Sequence, residues 1–196
     1  FRRVLFRSNI TGNFTASNKV YDGTTSANVT GRFLAGVLAN DSVVLSGGTA
    51  NFTDKNVANN KTVSLIGATL TGNDATNYNL STVANTTANI TALSVTGNFT
   101  ASNKVYDGTA TADVTGRFLA GVIGNDSVSL TGGTANFTNK NVANNKTTTL
   151  TGASLTGNDA LNYTLSSVAN TTANITQRPI TVTAATNTKV YDGNTS

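Results

Sequence analysis

The sequence predicts an all-β chain of tandem β-sandwich repeats with a period of 85 residues. Three observations carry that reading. Lys-Val-Tyr-Asp-Gly ends at Gly23, Gly108 and Gly193, each 85 residues after the last, and residues 9–93 align with 94–178 without a gap at 66 identical positions. Thr, Val and Phe dominate stretches of alternating polarity, and Gly or Asn-Asp clusters interrupt them every ~8–12 residues, the spacing of strands and turns. No window sustains the 3.6-residue apolar period of a helix. A period of 85 exceeds the ~20–50 residues of a solenoid rung and matches a small self-contained domain.

The elements follow in chain order. Residues 1–8, Phe-Arg-Arg-Val-Leu-Phe-Arg-Ser, break the repeat frame and are read as an extraneous, non-repeat segment outside either core. Repeat one is 9–93, repeat two is 94–178, and 179–196 is expected to be the truncated start of a third repeat, with Ile180–Ala184 extended and weakly held. In repeat two the pattern places strands at 94–101, 110–115, 127–131, 134–138, 147–156, 163–167 and 171–176. Seven short strands in 85 residues suit a sandwich of two sheets. Arg117–Ile123 is the best helix candidate, interrupted by Gly121.

Composition narrows the function classes. The chain has no Cys, His, Met or Trp and is 11% charged, so thiolate and imidazole catalysis and His-based zinc sites are excluded. The net charge of +4 does not mark a nucleic-acid binder, because Arg2, Arg3 and Arg7 lie in the first eight positions. Without them 10 basic residues face 9 acidic ones, with no basic stripe among aromatics. No apolar run nears the ~20 residues of a membrane-spanning helix.

Two motifs stand out. Asp74 and Tyr78, repeated as Asp159 and Tyr163, set a Tyr four residues after Asp and two before an apolar Leu. That is the spacing of the tyrosine corner of immunoglobulin domains, so an immunoglobulin-like sandwich is expected, with buried rings and hydroxyls bonded to backbone. In the other motif, Tyr21-Asp22-Gly23 and Tyr106-Asp107-Gly108, Gly follows Asp at a strand end and accepts φ > 0, which reads as a turn. The competing reading makes Tyr21, Tyr106 and Tyr191 a periodic aromatic contact for glycans.

Ser-Asn-Lys-Val-Tyr-Asp-Gly-Thr, Gly-Gly-Thr-Ala-Asn-Phe-Thr-Asp-Lys-Asn-Val, Gly-Ala-Thr-Leu-Thr-Gly-Asn-Asp-Ala-Thr-Asn-Tyr-Asn-Leu and Ala-Asn-Ile-Thr together resemble the YDG-type repeat of large bacterial surface proteins, the filamentous-haemagglutinin-like adhesins. Gln177-Arg178-Pro179-Ile180-Thr181-Val182 is similar to the junction between such repeats. The resemblance implies secretion, display at the cell surface as a tandem array, and no catalytic residues. Lack of Cys suits a chain that meets an oxidising compartment. No cofactor is expected; calcium at Gly124-Asn125-Asp126 with Asp159 is the one weaker alternative, since no EF-hand spacing is present. The 17 Asn-x-Ser/Thr sequons follow from Asn alternating with Thr on strands and from the duplication. Two functions are therefore expected in order: a non-catalytic stalk whose partners are neighbouring repeats, then repeats that themselves bind a host or surface glycan or another chain.

Overall fold

The computed structural model describes residues 7–186 and 188–194, so most of the expected non-repeat segment, 1–6, lies outside the described residues. The first repeat contains β1 (Ser8–Ala16), β2 (Lys19–Val20), β3 (Val29–Ala35), β4 (Val44–Phe52), β5 (Ala58–Thr71), β6 (Tyr78–Val83) and β7 (Thr86–Thr91). The second contains β8 (Leu93–Ala101), β9 (Lys104–Val105), β10 (Thr111–Ala112), β11 (Val114–Ala120), β12 (Ser129–Phe137), β13 (Ala143–Thr156), β14 (Tyr163–Val168) and β15 (Thr171–Thr176). Short 3₁₀ turns at Ala75–Asn77 and Ala160–Asn162 lead into β6 and β14.

Each repeat forms two sheets. In the first, β1 lies between antiparallel β3 and parallel β6, while the other sheet runs β2-β7-β5-β4. In the second, β8 lies between β11 and β14, and the other sheet runs β10-β12-β13-β15-β9. Alternation sets the faces: β1 buries Ile10, Gly12 and Phe14, and β8 buries Val95, Gly97 and Phe99. Phe14 packs in one cluster with Leu45, Ala50, Phe52, Val63, Leu65, Ala88 and Ile90 from the second sheet.

The second repeat repeats this packing with one change. Thr148 stands where the first repeat has Val63, and both are fully buried. The hydroxyl reaches only the Lys146 carbonyl, at 3.4 Å. The core there divides into two clusters, Phe99 with Leu130, Ala135 and Leu150, and Phe137 with Ala173 and Ile175.

Three expectations are corrected. The strands expected at 127–131 and 134–138 are one strand, β12, bent at Gly132 and Gly133, whose φ of 66° and 80° lets the chain turn without leaving the ladder. Arg117–Ile123 is no helix. Its first four residues belong to β11, where Arg117 pairs with Phe99 and Leu119 with Gly97, so cross-strand pairing overrides the local pattern. The strand expected at 110–115 divides into β10, which pairs with β12, and the start of β11, which pairs with β8. Ile180–Ala184, expected to be extended and weakly held, is exposed and in no strand; β8, its counterpart, is held by β11 and β14, and no such partners reach 180–184 among the described residues.

Candidate functional site at the junction of the repeats

The Lys-Val-Tyr-Asp-Gly turn is built locally. The Asp22 carboxylate accepts the Thr24 N–H at 2.9 Å and the Lys19 ammonium at 2.7 Å, and that ammonium also donates to the Thr24 carbonyl. Asp107 repeats this with Thr109 and Lys104, and Asp192 with Asn194 and Lys189, although the third copy has no sheet around it. Gly23, Gly108 and Gly193 follow at φ of 76°, 85° and 78°. The Lys104 ammonium and the Thr109 donors hold the Asp107 carboxyl down at about 2. Asp22 is also lowered: burial opposes the shift, and the bonds from Lys19 and Thr24 outweigh it. These Asp and Gly residues therefore shape a turn.

The turn aims Tyr21 at the second repeat. Its ring is 1% exposed, and its hydroxyl donates to Asp126 Oδ2 at 2.7 Å. The Tyr163 hydroxyl donates to the same oxygen at 2.7 Å and accepts the Ile123 N–H at 3.1 Å. The two rings meet edge to face, centroids 5.4 Å apart at 72°. Lys55 reaches across from the loop after β4 to Asp126 Oδ1 at 2.9 Å, with Asp159 3.8 Å away. Beside this cluster the Val57 N–H donates to Asn162 Oδ1 at 2.9 Å, and Asn162 Nδ2 donates to Asn56 Oδ1 at 3.3 Å.

Asp126 thus accepts one ammonium and two phenols. These three donors, Lys55 foremost, hold its carboxyl down at about 2. Desolvation and the neighbouring carboxylate push the Tyr163 phenol up to about 12, and Tyr21 is raised for the same reasons. Apolar packing is continuous with the polar contacts: Val95, Tyr163, Val122, Ile123 and Val128 belong to the core cluster of the first repeat. Ala92 alone separates β7 from β8. The arrangement is end to end. The loop 53–57 and the loop 36–43 lie at opposite ends of β4, a strand of nine residues spanning ~30 Å, and 53–57 meets the second repeat's loop 121–128.

A family model described as the YDG domain matches residues 8–88 and again 86–173. The chain belongs to the YDG-domain family. No curated protein and no solved structure matches it.

The sequence-predicted residues are thus divided by the two YDG repeats. Tyr21, Asp159 and Tyr163 come together at the junction. Tyr106 is half-buried at the far end of the second repeat, and Tyr191 is exposed. At the corner of the first repeat the Tyr78 hydroxyl accepts the Leu38 N–H at 3.0 Å and donates to Asp41 Oδ2 at 2.5 Å, which raises the Tyr78 phenol. One backbone partner is as expected; the carboxylate was missed. Asp74 and Asp159 do not hold the tyrosines but accept the N–H groups of Ser42 and Ser127, each at 2.8 Å. The oxygens weighed as calcium ligands, on Asp126 and Asp159, converge on the Lys55 ammonium. Among the described residues no three metal-ligating side chains gather. Lys55, Asn162 and Asp41 escaped sequence reasoning. Nothing in their local pattern marks them, because their partners lie 37 to 105 residues away.

Proposed function

We propose that this chain is a stiff, non-catalytic spacer, a segment of the stalk of a secreted bacterial surface adhesin, in which YDG repeats hold a distal domain away from the cell. The observation that carries this reading is the junction: a one-residue link combined with a half-buried carboxylate that takes donors from both repeats. A spacer needs length and resistance to bending, and side-chain bonds across the joint supply the second. The facing sheets of each repeat and the Tyr at the start of β6 and β14 support an immunoglobulin-like sandwich within each spacer unit. Burial of Tyr21 counts against a periodic aromatic glycan contact, because that ring faces a neighbouring repeat. Extracellular placement follows from the adhesin reading and is part of the proposal.

Two measurements test it. Small-angle scattering should give an elongated particle of roughly 60–80 Å for the two repeats in line. A glycan array probed with the chain should be blank. A compact scattering profile, or a saturable glycan signal retained at physiological salt, would count against the spacer.

A further inference from the structure

Tension along a stalk enters each repeat at its first strand and leaves at its last, and in both repeats the first strand is bonded to the stretch that leads into the last. We infer that the parallel pairing of β1 with β6, and of β8 with β14, is a clamp that lets the chain bear tension along the stalk. This inference deepens the spacer reading, because a stalk is what is pulled from both ends.

The path of the force follows from the pairings. β1 starts beside Tyr78, at the end of the repeat that holds loop 36–43. In β7, Ile90 lies beside Ala58, at the opposite end, which holds loop 53–57. The chain therefore enters at one end and leaves at the other, and β1 and β7 run the same way. β6 runs alongside β1 from the pair Ser8 and Tyr78 to the pair Gly12 and Val83, then passes through Ala84 and Asn85 into β7. Pulling on the ends drives β1 backwards and 78–91 forwards, so the bonds between β1 and β6 are loaded in shear, all together rather than one after another. Six residues of β1 also pair with β3, so both its edges are bonded. The second repeat has the same path: β8 pairs with β14 from Leu93 and Tyr163 to Gly97 and Val168, and with β11 on its other side.

Side chains close the irregular points of these ladders. The register of β1 on β6 shifts between Ile10 and Thr11, which leaves Ser81 without an opposite residue. The Ser81 hydroxyl donates to the Ile10 carbonyl at 2.9 Å, and the Ala84 N–H donates to the Gly12 carbonyl at 2.9 Å. Ser166 does the same for Val95 at 2.9 Å, and Ala169 for Gly97 at 2.8 Å. The strand that carries force out is fastened in the same manner. Its register on β5 shifts between Ala58 and Lys61, and there Asn60, at φ 51°, donates its N–H to Asn89 Oδ1 at 2.7 Å. On the other side of β7 the Asn89 N–H donates to Asn18 Oδ1 at 2.7 Å. Asn145, Asn174 and Asn103 repeat the two bonds at 2.8 and 2.7 Å.

The chain has no Cys, so introduced cysteines define where force is applied. In the full chain, Ser8→Cys is combined with Thr91→Cys to pull the first repeat along its axis, or with Asn77→Cys to open β1 from β6 at one end. All three positions are exposed. Optical tweezers with DNA handles read the rupture force, which reports the unfolding barrier rather than equilibrium stability. The axial pair should unfold in one step releasing roughly 250 Å of chain, at a force severalfold above that of the Asn77 pair. Ser81→Ala, with its far-UV circular dichroism unchanged, should lower the axial force and leave that of the Asn77 pair as it was; Ser81→Thr should restore the axial force. Equal forces in the two geometries overturn the inference, as does an axial force indifferent to Ser81→Ala. A weak axial pair in a particle that scattering finds elongated removes the clamp and leaves the spacer. A strong axial pair in a compact particle removes the spacer and leaves the clamp.

Discussion

Asp41 and Asp126 occupy the same position in the two repeats, but only Asp126 lies at a junction, which makes Asp→Ala at each site a matched pair. Asp41→Ala removes one acceptor from Tyr78, whose hydroxyl keeps its bond from the Leu38 N–H. The expected cost is about 1 kcal/mol. Asp126→Ala removes the same bond from Tyr163, and also the acceptor of the buried Tyr21 hydroxyl and the partner of Lys55. The Tyr21 bond goes to a charged group and is part-buried, worth about 1.5–3 kcal/mol. The Lys55 pair is partly exposed and adds little. The expected cost of Asp126→Ala is therefore about 2.5–4 kcal/mol. For a chain of this size the melting temperature should fall by roughly 10 °C for Asp126→Ala and roughly 3 °C for Asp41→Ala. Urea and thermal unfolding followed by far-UV circular dichroism read both. Equal losses at the two positions would refute the argument, because the bonds from Tyr21 and Lys55 would then add nothing to stability.

Thr148→Val should stabilise the second repeat by about 1 kcal/mol, since the equivalent position already accommodates Val63 and the hydroxyl makes only a 3.4 Å bond; calorimetry would show the melting transition move up. Tyr21→Phe should cost about 1–2 kcal/mol and Tyr106→Phe almost nothing, as only Tyr21 donates across the junction; urea midpoints would separate them. The Asp126 carboxyl is held down at about 2, so the stability it adds is fully present above its ordinary value of 3.8 and is lost as pH falls through the folded value. The difference in urea midpoint between the parent chain and Asp126→Asn should therefore be constant from pH 7 to 5 and shrink towards pH 2.

The strands were legible because alternation of apolar and polar residues states directly which face is buried, as in Ile10, Gly12 and Phe14 of β1. The turn at Asp22-Gly23 was legible because its bonds lie within five residues, and the isolated copy at Asp192-Gly193 shows that they need no surrounding sheet. What local pattern could not reveal was pairing. Arg117-Phe118-Leu119 has no strand alternation of its own and becomes a strand because β8 lies beside it. The junction was hidden for a related reason. Tyr21 and Asp126 are separated by 105 residues, and neither carries a mark of its partner. Asp126, weighed from the sequence only as a weaker calcium alternative to a turn residue, is instead the acceptor for the Lys55 ammonium.

The central claim is that the two YDG repeats are fixed end to end by the contacts of Tyr21, Lys55 and Asn56–Val57 with Asp126, Tyr163 and Asn162. Spin labels on cysteines introduced at Thr69 and Ser154, both exposed and equivalent in the two repeats, report that geometry by pulsed dipolar spectroscopy. The account predicts one narrow distance distribution in the parent chain that broadens severalfold in Asp126→Ala with Lys55→Ala. A distribution that is already broad in the parent chain, or one unchanged by the double substitution, would contradict it.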